Sequence, residues 1–445
     1  MSNLNRAIPS MSTLKSQQNC LKVLGIDVGT SGIRAAIVEF NQKKPCLKYS
    51  VQVDLPLPQR NGLCSQQSPL LWTDALKTLF HKLTQHPEIH QIDQCIVDAT
   101  SSTVLLCDAN GTPITDAIMY DDQRAIIESE RVQQVAPKNT GAHGASSTLS
   151  KVMWLESRLE DANPTHSPAH ICHQVDFINH FLTGKIGITD ENNALKLGYD
   201  SQNQLWPQWL QTLIKTPLPK VVAPGTEIGQ ILPGLAKIYG FNPNLKVLSG
   251  TTDSIAAFLA AGATHVGEAV VSLGSTLAIK VLSDHAIFAG EYGIYSHKLK
   301  SKWLVGGASN SGGAVLLNYF TVPQLETLLP QMDISHSTRL NYYPLTKPGE
   351  RFPIANANLQ PRLSPRPKND VIFCQAIIEG LVKIEALCFE RLSELGAPSI
   401  QQIYTCGGGV KNPVWMQLRQ IHLNAPVTLA KQPDAAFGVA QLAVL

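Results

Sequence analysis

Two stretches far apart along the chain share one pattern of strand, polar glycine-rich turn and strand. The first reads VLGIDVGTSGIRAAIVEF (residues 23–40), and the second reads GEAVVSLGSTLAIKVLS (residues 267–283). In each stretch two apolar runs flank a turn of Gly, Ser and Thr, residue types that favour tight turns between strands. A chain that carries this hairpin in each half is expected to have a duplicated architecture, with two similar domains facing each other across a cleft.

The order of the predicted elements indicates an α/β fold. Three strand-like runs open the chain, and a helix-like stretch at 68–85 follows, with Ser68 as its N-cap. A further strand is predicted at 94–100. This β-β-β-α-β order predicts a mixed sheet with helices packed on it.

The length of 445 residues accommodates two or three domains. The middle of the chain is rich in helix and loop patterns, and the strand and hairpin pattern resumes after residue 245. We therefore divide the chain into a flexible leader (1–20), an N-terminal domain (21–245) and a C-terminal domain (246–445).

The composition excludes several classes of protein. Apolar residues make up 44% of the chain and charged residues 16%, which is typical of globular proteins. The formal net charge of +2 gives no argument for a nucleic-acid partner or an anionic membrane surface, and we expect neither. The nine cysteines form no Cys-x-x-Cys pair, which favours free thiols in a reducing compartment and disfavours a zinc site. We expect a cytoplasmic protein.

The first 20 residues, MSNLNRAIPSMSTLKSQQNC, contain no acidic residue and lack the apolar core of a secretion signal. We interpret them as a flexible leader. The alternative is a transit peptide, which would direct the protein to an organelle. The sequence contains no run of about 18 apolar residues, so no membrane-spanning segment is predicted.

Three glycine-rich turns at predicted strand ends are the candidate ligand-binding segments: DVGTSG (27–32), SLGST (272–276) and CGGGVKN (406–412). The first is either a hairpin with a polar tip or a phosphate cradle whose carboxylate meets a metal. Strand-end turns are where α/β sheets bind ligands, and glycine lets backbone amides approach a phosphate. The sequence has no GxxxxGK[ST] P-loop and no GxGxxG fingerprint, so a nucleotide would need a different cradle.

These motifs resemble those of the FGGY carbohydrate kinases, which belong to the actin-like, ribonuclease-H-like ATPase superfamily. The resemblance runs from about residue 21 to the end and rests on GIDVGTSG, SGTTDSIAAFLAAG, VVSLGST and CGGGVKNPVWMQL, with SKVMWL and CQAIIEGLVKIEAL in support. It implies an α/β fold of two actin-like domains, each a mixed five-stranded sheet flanked by helices, with a cleft between them. It also implies ATP and Mg²⁺ as cofactors and a small-molecule sugar as substrate.

The resemblance also implies roles for individual residues. Asp27 matches an acid near Mg²⁺, the transferring phosphate and the substrate, and Asp253 matches the catalytic base that takes the proton of the sugar hydroxyl. The positions that match nucleotide- and phosphate-binding residues are Thr30, Ser31, Gly274, Ser275, Thr276, Gly408, Gly409, Asn412 and Trp415. The positions that match sugar-binding residues are Ser101 in DATSST and Asp122 and Arg124 in YDDQRA, where Tyr120 replaces the family's usual Trp.

Phosphoryl transfer needs these residue types. It depends on alignment and charge neutralisation, which amide donors, hydroxyls and a carboxylate-bound metal provide. A base beside the attacking hydroxyl adds to the rate. Asp27 and Asp253, expected one in each half of the chain, would supply the metal contact and the base. Closure of the two domains would keep water, the competing acceptor, out of the site.

Some of these residues also have purely structural interpretations. Asp253 could be an acid that only favours the dipole at a helix N-terminus, Ser101 a turn hydroxyl, and Trp415 a core residue. The segment GGASNSGG (306–313) receives no role.

We therefore predict an ATP- and Mg²⁺-dependent sugar kinase, monomeric or homodimeric, that phosphorylates the terminal hydroxyl of a ketopentose to give the 5-phosphate and ADP. The compact length, DATSST and ENNALKLGYD favour D-ribulose, and D-xylulose is the near alternative. Two hypotheses from other classes are a non-catalytic regulator that responds to sugar or nucleotide, and an actin- or chaperone-like ATPase. Sugar-stimulated release of ADP would separate all three.

Overall fold

The computed structural model describes residues 20–42, 44–162 and 168–445. The predicted leader, apart from Cys20, lies outside the described residues. Within the described ranges, no helix combines the length and the apolar character that a membrane crossing requires.

The secondary structure follows the predicted order. The strands up to residue 245 are β1 (Leu21–Val28), β2 (Gly32–Asn41), β3 (Lys44–Asp54), β4 (Gln59–Asn61), β5 (Cys64–Gln67), β6 (Gln94–Ala99), β7 (Val104–Cys107), β8 (Ala117–Ile118), β9 (His170–His173), β10 (Ile188–Asp190), β11 (Lys220–Val222) and β12 (Glu227–Gln230). The helices there are α1 (Leu70–Leu83), α2 (Ile126–Val135), α3 (Thr148–Ala162), α4 (Gln174–Thr183), α5 (Glu191–Ala194) and α6 (Pro233–Tyr239).

The remainder of the chain repeats the alternation of strands and helices. Its strands are β13 (Lys246–Thr252), β14 (Glu268–Leu273), β15 (Leu277–Ser283), β16 (His297–Leu299), β17 (Lys302–Ser309), β18 (Gln402–Cys406) and β19 (Val427–Leu429). Its helices are α7 (Asp253–Ala261), α8 (Gly313–Leu317), α9 (Val322–Leu328), α10 (Asp370–Glu394), α11 (Pro413–His422) and α12 (Ala435–Ala440).

The two main sheets share one topology, which confirms the predicted duplication. The first sheet has the order β12-β13-β6-β1-β2-β3, and the second has the order β16-β17-β15-β14-β18-β19. In both, an antiparallel hairpin (β1–β2 or β14–β15) is followed in the sheet by two strands parallel to its first member (β6 and β13, or β18 and β19). The predicted five-stranded unit is thus present twice, and each copy gains a sixth edge strand, β12 or β16.

Strand β13 belongs to the first sheet, although the division at residue 245 assigns it to the C-terminal domain. It pairs in parallel with β6, with Leu248 opposite Ile96 and Thr252 opposite Ala99. The sequence places this strand next to the second hairpin along the chain, but hydrogen bonding between strands does not follow chain order. A division by sheet membership falls after β13.

Helices α7 and α12 pack between the two sheets and form a core that both halves share. This core contains Val23 and Ile96 of the first sheet, Val270 and Leu304 of the second, and the apolar faces of the two helices. Glycine makes the close packing possible: a Cβ on Gly25 would lie 1.8 Å from the carbonyl oxygen of Ala436. Similarly, a Cβ on Gly438 would lie 1.9 Å from the carbonyl oxygen of Ala256.

The start of α1 differs by one position from its prediction. Pro69, and not Ser68, is the N-cap, and no side chain caps this helix end. The amides of Leu71 and Trp72 donate to the carbonyls of Ser68 and Pro69, three residues back, so the first turn is tighter than an α-helix and regular α bonding begins later.

Candidate active site

Three aspartates lie at the carboxyl ends of three neighbouring parallel strands. Asp27 is near the end of β1, Asp98 is near the end of β6, and Asp253 directly follows β13. The strand register pairs Asp27 with Asp98 and pairs Thr251 with Asp98. Because the carboxyl ends of adjacent parallel strands open on one edge of an α/β sheet, the three carboxyl groups converge there.

This arrangement corrects one expectation. Asp27 and Asp253 were expected one in each half of the chain, but the strands that carry them, β1 and β13, belong to the same sheet. The expectation was wrong because the strand pattern resumes after residue 245, and the segment around β13 therefore looks like the start of the second domain. Sheet partners at this distance along the chain cannot be read from local sequence.

Burial raises the pKa of both Asp27 and Asp98. Burial, and then the negative charge of Asp253, raises the pKa of Asp27 from 3.8 to about 6, while a hydrogen bond with Asp98 and the charge of Arg34 oppose the rise. Burial and the charges of Asp27 and Asp253 raise the pKa of Asp98 well above its ordinary value. Apart from the carboxyl group of Asp27, with which it can share a proton, no group among the described residues reaches either oxygen of Asp98. A cation or a shared proton would satisfy this pair.

A fourth acid, Asp434, adds to the negative charge. It is the N-cap of α12 and accepts a hydrogen bond from the amide of Ala436 at 3.0 Å. Its charge raises the pKa of both Asp27 and Asp98. The sequence analysis gave Asp434 no role, and it gave Asp98 none beyond its place in the DATSST segment. The sequence did contain a pattern that could have identified Asp98. The predicted strand at 94–100 places Asp98 shortly before Thr and Ser residues, as the first strand places Asp27.

Asp253 occupies the first position of α7, a half-buried site where its carboxylate accepts from the amide of Ser254 at 2.6 Å. Burial raises its pKa, and that backbone hydrogen bond together with the positive charges of Lys280 and Lys196 works in the opposite direction. A carboxylate with a raised pKa is a better proton acceptor than an ordinary one. This position therefore suits a general base.

The turn after β1 presents two free hydroxyls. The amide of Gly29 donates to the carbonyl of Gly32 at 3.0 Å and closes the turn. The side chains of Thr30 and Ser31 make no hydrogen bond with other described residues, and Ser31 is exposed. Both hydroxyls remain available to a ligand at the edge where Asp27 lies.

The turn at Gly274, Ser275 and Thr276 is held by a second loop that the sequence analysis left without a role. The amide of Gly313 donates to the carbonyl of Gly274 at 2.9 Å, and the amide of Leu277 donates to the carbonyl of Ser311 in this second loop at 2.8 Å. Ser275 and Thr276 are exposed.

Glycine is required in the supporting loop because a Cβ on Gly312 would lie 2.5 Å from the carbonyl oxygen of Ser275. The buried carboxylate of Glu350 fixes the same loop by accepting from the hydroxyl of Ser309 at 2.6 Å and the amide of Asn310 at 2.8 Å. The glycines of GGASNSGG were the signal for this supporting role.

The third glycine-rich turn lies against β14. Gly407 has φ +87°, and a Cβ on it would lie 2.7 Å from the carbonyl oxygen of Leu273. A Cβ on Gly408, in contrast, would meet nothing within 4 Å, so the backbone there is open to a ligand.

Asn412 and Trp415 have clear structural roles in this region. Asn412 is the N-cap of α11, and its side-chain oxygen accepts from the amide of Trp415 at 3.0 Å. The ring of Trp415 is 2% exposed and packs in the core of the second sheet beneath Gly409. Trp415 is therefore a core residue, as in the alternative interpretation, and it exposes no face to an adenosine.

Of the candidate sugar residues, Ser101 is accessible, whereas Asp122 is buried and paired with Arg124. Ser101 is half-buried in the turn after β6. Asp122 is fully buried and accepts from the amide of Ser65 at 2.5 Å and from the guanidinium of Arg124 at 2.8–3.1 Å. The expectation that Asp122 contacts the sugar is therefore corrected, because its oxygens are committed to holding Arg124 against Trp154.

Asp27 and Asp98 suit a divalent cation whose remaining coordination positions are filled by a bound phosphate and water. Among the described residues, no group of three or more His, Cys, Asp or Glu side chains is close enough to hold a metal. Mg²⁺ is usually bound through one or two carboxylates together with phosphates and water. The paired carboxyl groups of Asp27 and Asp98 supply such a partial site.

Comparison with known proteins gives consistent matches along the chain. The N-terminal domain of the FGGY family of carbohydrate kinases matches residues 22–260, and the C-terminal domain of that family matches residues 269–445. A xylulose kinase from Staphylococcus epidermidis is 23% identical over 449 residues, covering 95% of this chain and 87% of the relative. A gluconokinase from Bacillus subtilis is 25% identical over 438 residues, covering 89% and 82%.

Solved structures share the fold. A xyloylose kinase from Brucella ovis matches with a TM-score of 0.85 at 22% identity, covering 95% of this chain and 90% of the other. A gluconate kinase from Lactobacillus acidophilus matches with a TM-score of 0.82 at 21% identity, covering 95% and 89%. The predicted fold of two similar α/β domains is thereby confirmed. Since both domains of the family are matched in order around the cluster of acids and glycine-rich turns, the chain belongs to the FGGY family of carbohydrate kinases, which are ATP-dependent phosphotransferases.

Proposed function

We propose that this carbohydrate kinase transfers the γ-phosphoryl group of ATP to the terminal hydroxyl of a ketopentose, with Asp253 as the general base. The observation that carries the proposal is the position of Asp253 at the sheet edge that also holds Asp27 and Asp98. A hydroxyl seated beside Asp253 would lose its proton to that carboxylate while it attacks phosphorus. The raised pKa of Asp253 favours this proton transfer.

Asp27 and Asp98 would hold Mg²⁺, which when bound neutralises charge on the phosphates. The residues of this chain then have separate tasks. The hydroxyls of Thr30 and Ser31 would orient phosphate oxygens beside the acids. The turn at Gly274, Ser275 and Thr276 and the open backbone of Gly408 would position the rest of the nucleotide.

The sugar is the finer part of the proposal. The sequence analysis favoured D-ribulose, whereas several of the curated relatives are named xylulose kinase. At 23–24% identity these names favour D-xylulose without excluding other ketopentoses. A sugar acid is the second candidate, because two relatives are named gluconokinase and positive charges surround Asp253.

A coupled ADP-release assay over D-xylulose, D-ribulose, other pentuloses, polyols and gluconate tests the proposal. We expect the highest kcat/KM with a ketopentose and little ADP release without sugar. Hydrolysis of ATP that no sugar stimulates would support the actin- or chaperone-like alternative. Nucleotide or sugar binding without any turnover would support the regulator.

A further inference from the structure

Two half-buried lysines approach Asp253 from different parts of the chain. Lys280 lies on β15, the strand that follows the turn at 274–276. Lys196 lies in a short helical turn directly after α5. Both lysines act on the pKa of Asp253, and Asp253 acts on the pKa of both. Neither received a role from the sequence.

A hydrogen bond fixes Lys280 beside the base, and two others anchor the segment that carries Lys196. The ammonium of Lys280 donates to the hydroxyl of Ser254, the residue after Asp253, at 2.7 Å. The segment that carries Lys196 is anchored by Asn192, whose amide donates to the hydroxyl of Thr251 at 3.0 Å and to the carbonyl of Lys298 at 3.0 Å.

The positive charge here exceeds the negative charge. Among the described residues, no carboxylate oxygen lies within 4.0 Å of the ammonium of Lys280 or Lys196. The charge of Lys196 lowers the pKa of Lys280, and the charges of both lysines lower the pKa of His297 on β16. Burial, the largest cause, and this repulsion lower the pKa of Lys280 to about 8.

The single charge of Asp253 does not balance this pair. Desolvating two positive charges that share one carboxylate costs free energy that a second, bound anion would recover. Arg351 also repels Lys196, so the excess is more than one charge. Asp253 also raises the pKa of the acids Asp27 and Asp98 on the first sheet, so its charge acts both on those acids and on Lys280 of the second sheet.

We propose that Lys280 and Lys196 form an anion site that binds the phosphoryl group during its transfer and afterwards as the product's phosphate ester. This inference rests on the proposed function. In the transfer, the bond between the γ-phosphorus and the β–γ bridging oxygen breaks, and its electron pair leaves with ADP. The sugar oxygen forms the new bond to phosphorus and gives its proton to Asp253. The lysines stabilise the charge on the phosphoryl oxygens and neither gain nor lose a proton.

The first test measures anion binding without catalysis. Inorganic sulfate is a tetrahedral dianion, and its protection of the protein against heat is compared between the wild type and the variants Lys280→Gln, Lys280→Arg and Lys196→Gln. Lys302→Gln is the matched control, because Lys302 lies on the neighbouring strand β17 and donates to the carbonyl of Thr264. Sulfate also stabilises proteins by exclusion from their surface, so the difference between variants is the informative quantity.

We expect sulfate protection to fall in Lys280→Gln and Lys196→Gln and to stay at the wild-type level in Lys302→Gln. Lys280→Arg should keep the protection, and should keep it at a higher pH than the wild type, because Lys280 loses its charge above about pH 8 whereas arginine does not. Comparing Lys280→Gln with Lys280→Arg separates the effect of losing the charge from the effect of disturbing the fold.

The second test is kinetic and uses the best sugar of the panel. Lys280→Gln should lower kcat by about 10²-fold, with a smaller change in the KM for sugar, as for loss of one donor to a transition-state oxygen. A fall in kcat with undiminished sulfate protection would overturn the proposal, since Lys280 would then act only through Ser254 and Asp253. If gluconate is the best substrate and Lys280→Gln raises its KM alone, the lysines bind a carboxylate and the proposal is also overturned.

The two proposals can fail separately. Loss of sulfate protection in Lys280→Gln, in a protein that phosphorylates nothing on the panel, would support the anion site and contradict the proposed function. Normal ketopentose turnover in both lysine variants would support the function and contradict the site.

Discussion

Asp253 is the residue on which the proposed chemistry depends most directly. Replacing it with Asn keeps the size of the side chain and its place at the start of α7 but removes the proton acceptor. We expect kcat to fall by about 10²–10⁴-fold, with the dissociation constant for ATP near the wild-type value. Asp284→Asn, at an exposed position, is the control. Turnover close to the wild type in Asp253→Asn would contradict the assignment of the base.

The raised pKa of Asp27 predicts how the free energy of unfolding changes with pH. Its pKa is about 6 in the folded protein against 3.8 ordinarily, so the folded state binds more protons between these values. Stability is therefore lost as the pH rises from about 4 to about 6 when a chelator removes metal.

Asp27→Asn should remove this loss and raise the free energy of unfolding at pH 8 by about 1–2 kcal/mol, a value reduced for the partial exposure of Asp27. Urea titrations of both proteins at pH 4 and pH 8 measure it. A variant with the same pH dependence as the wild type would show that the charges are already relieved.

The acids show how far the sequence predicts the site. Asp27 and Asp253 could be predicted because the segments around them, GIDVGTSG and SGTTDSIAAFLAAG, resemble motifs of the FGGY family. Asp98 becomes informative only when β6 is known to lie between β1 and β13. Lys280 looks like an ordinary strand residue in the sequence, and its burial and its bond to Ser254 come from tertiary packing. Asp122 was misassigned because a local motif does not reveal that Arg124 and the amide of Ser65 occupy its oxygens.

At the scale of elements, the sequence predicts the helix ends well where the terminating residue is distinctive. Helix α4 stops at Gly184, which has φ +71°, and α10 begins after Asn369, whose side chain accepts from the amide of Val371. The strand pattern predicted to resume after residue 245 begins with β13 (Lys246–Thr252). The sheet to which β13 belongs was not predicted, because pairing with β6 is a contact across about 150 residues that local patterns do not encode.

The turn at Gly408 allows a test of where ATP binds, because a substitution there should not change the stability of the protein. A Cβ there meets nothing within 4 Å, so Gly408→Ala should leave the melting temperature unchanged. If the nucleotide lies against this backbone, the affinity for ATP should fall by about tenfold or more, as expected for a clash with a bound ligand. Calorimetric titration with ATP measures the affinity.

Gly234→Ala, at a position on α6 that is equally open, is the matched control and should bind ATP like the wild type. An unchanged affinity in Gly408→Ala would place the nucleotide away from this turn.

At the scale of the whole molecule, α7 and α12 connect the two sheets through backbone contacts. Gly438→Ala would bring a Cβ to 1.9 Å from the carbonyl oxygen of Ala256, so the helices must separate. We expect a loss of at least about 1–3 kcal/mol in the free energy of unfolding. Because the core between the helices is shared, both halves should melt at a lower temperature, which calorimetry and a probe in each half would detect. Melting of one half at the wild-type temperature would contradict a shared core.

The place of α12 also has a consequence for how the chain is made. Residues 435–440 cover β1, at residues 21–28, so β1 receives this covering helix only after some 400 further residues have been synthesised. Until then α7 is the only one of the two helices of the shared core that is available to this face of the first sheet. Apolar side chains that α12 covers, such as Val23 and Val38, would be more accessible to chaperones during that interval.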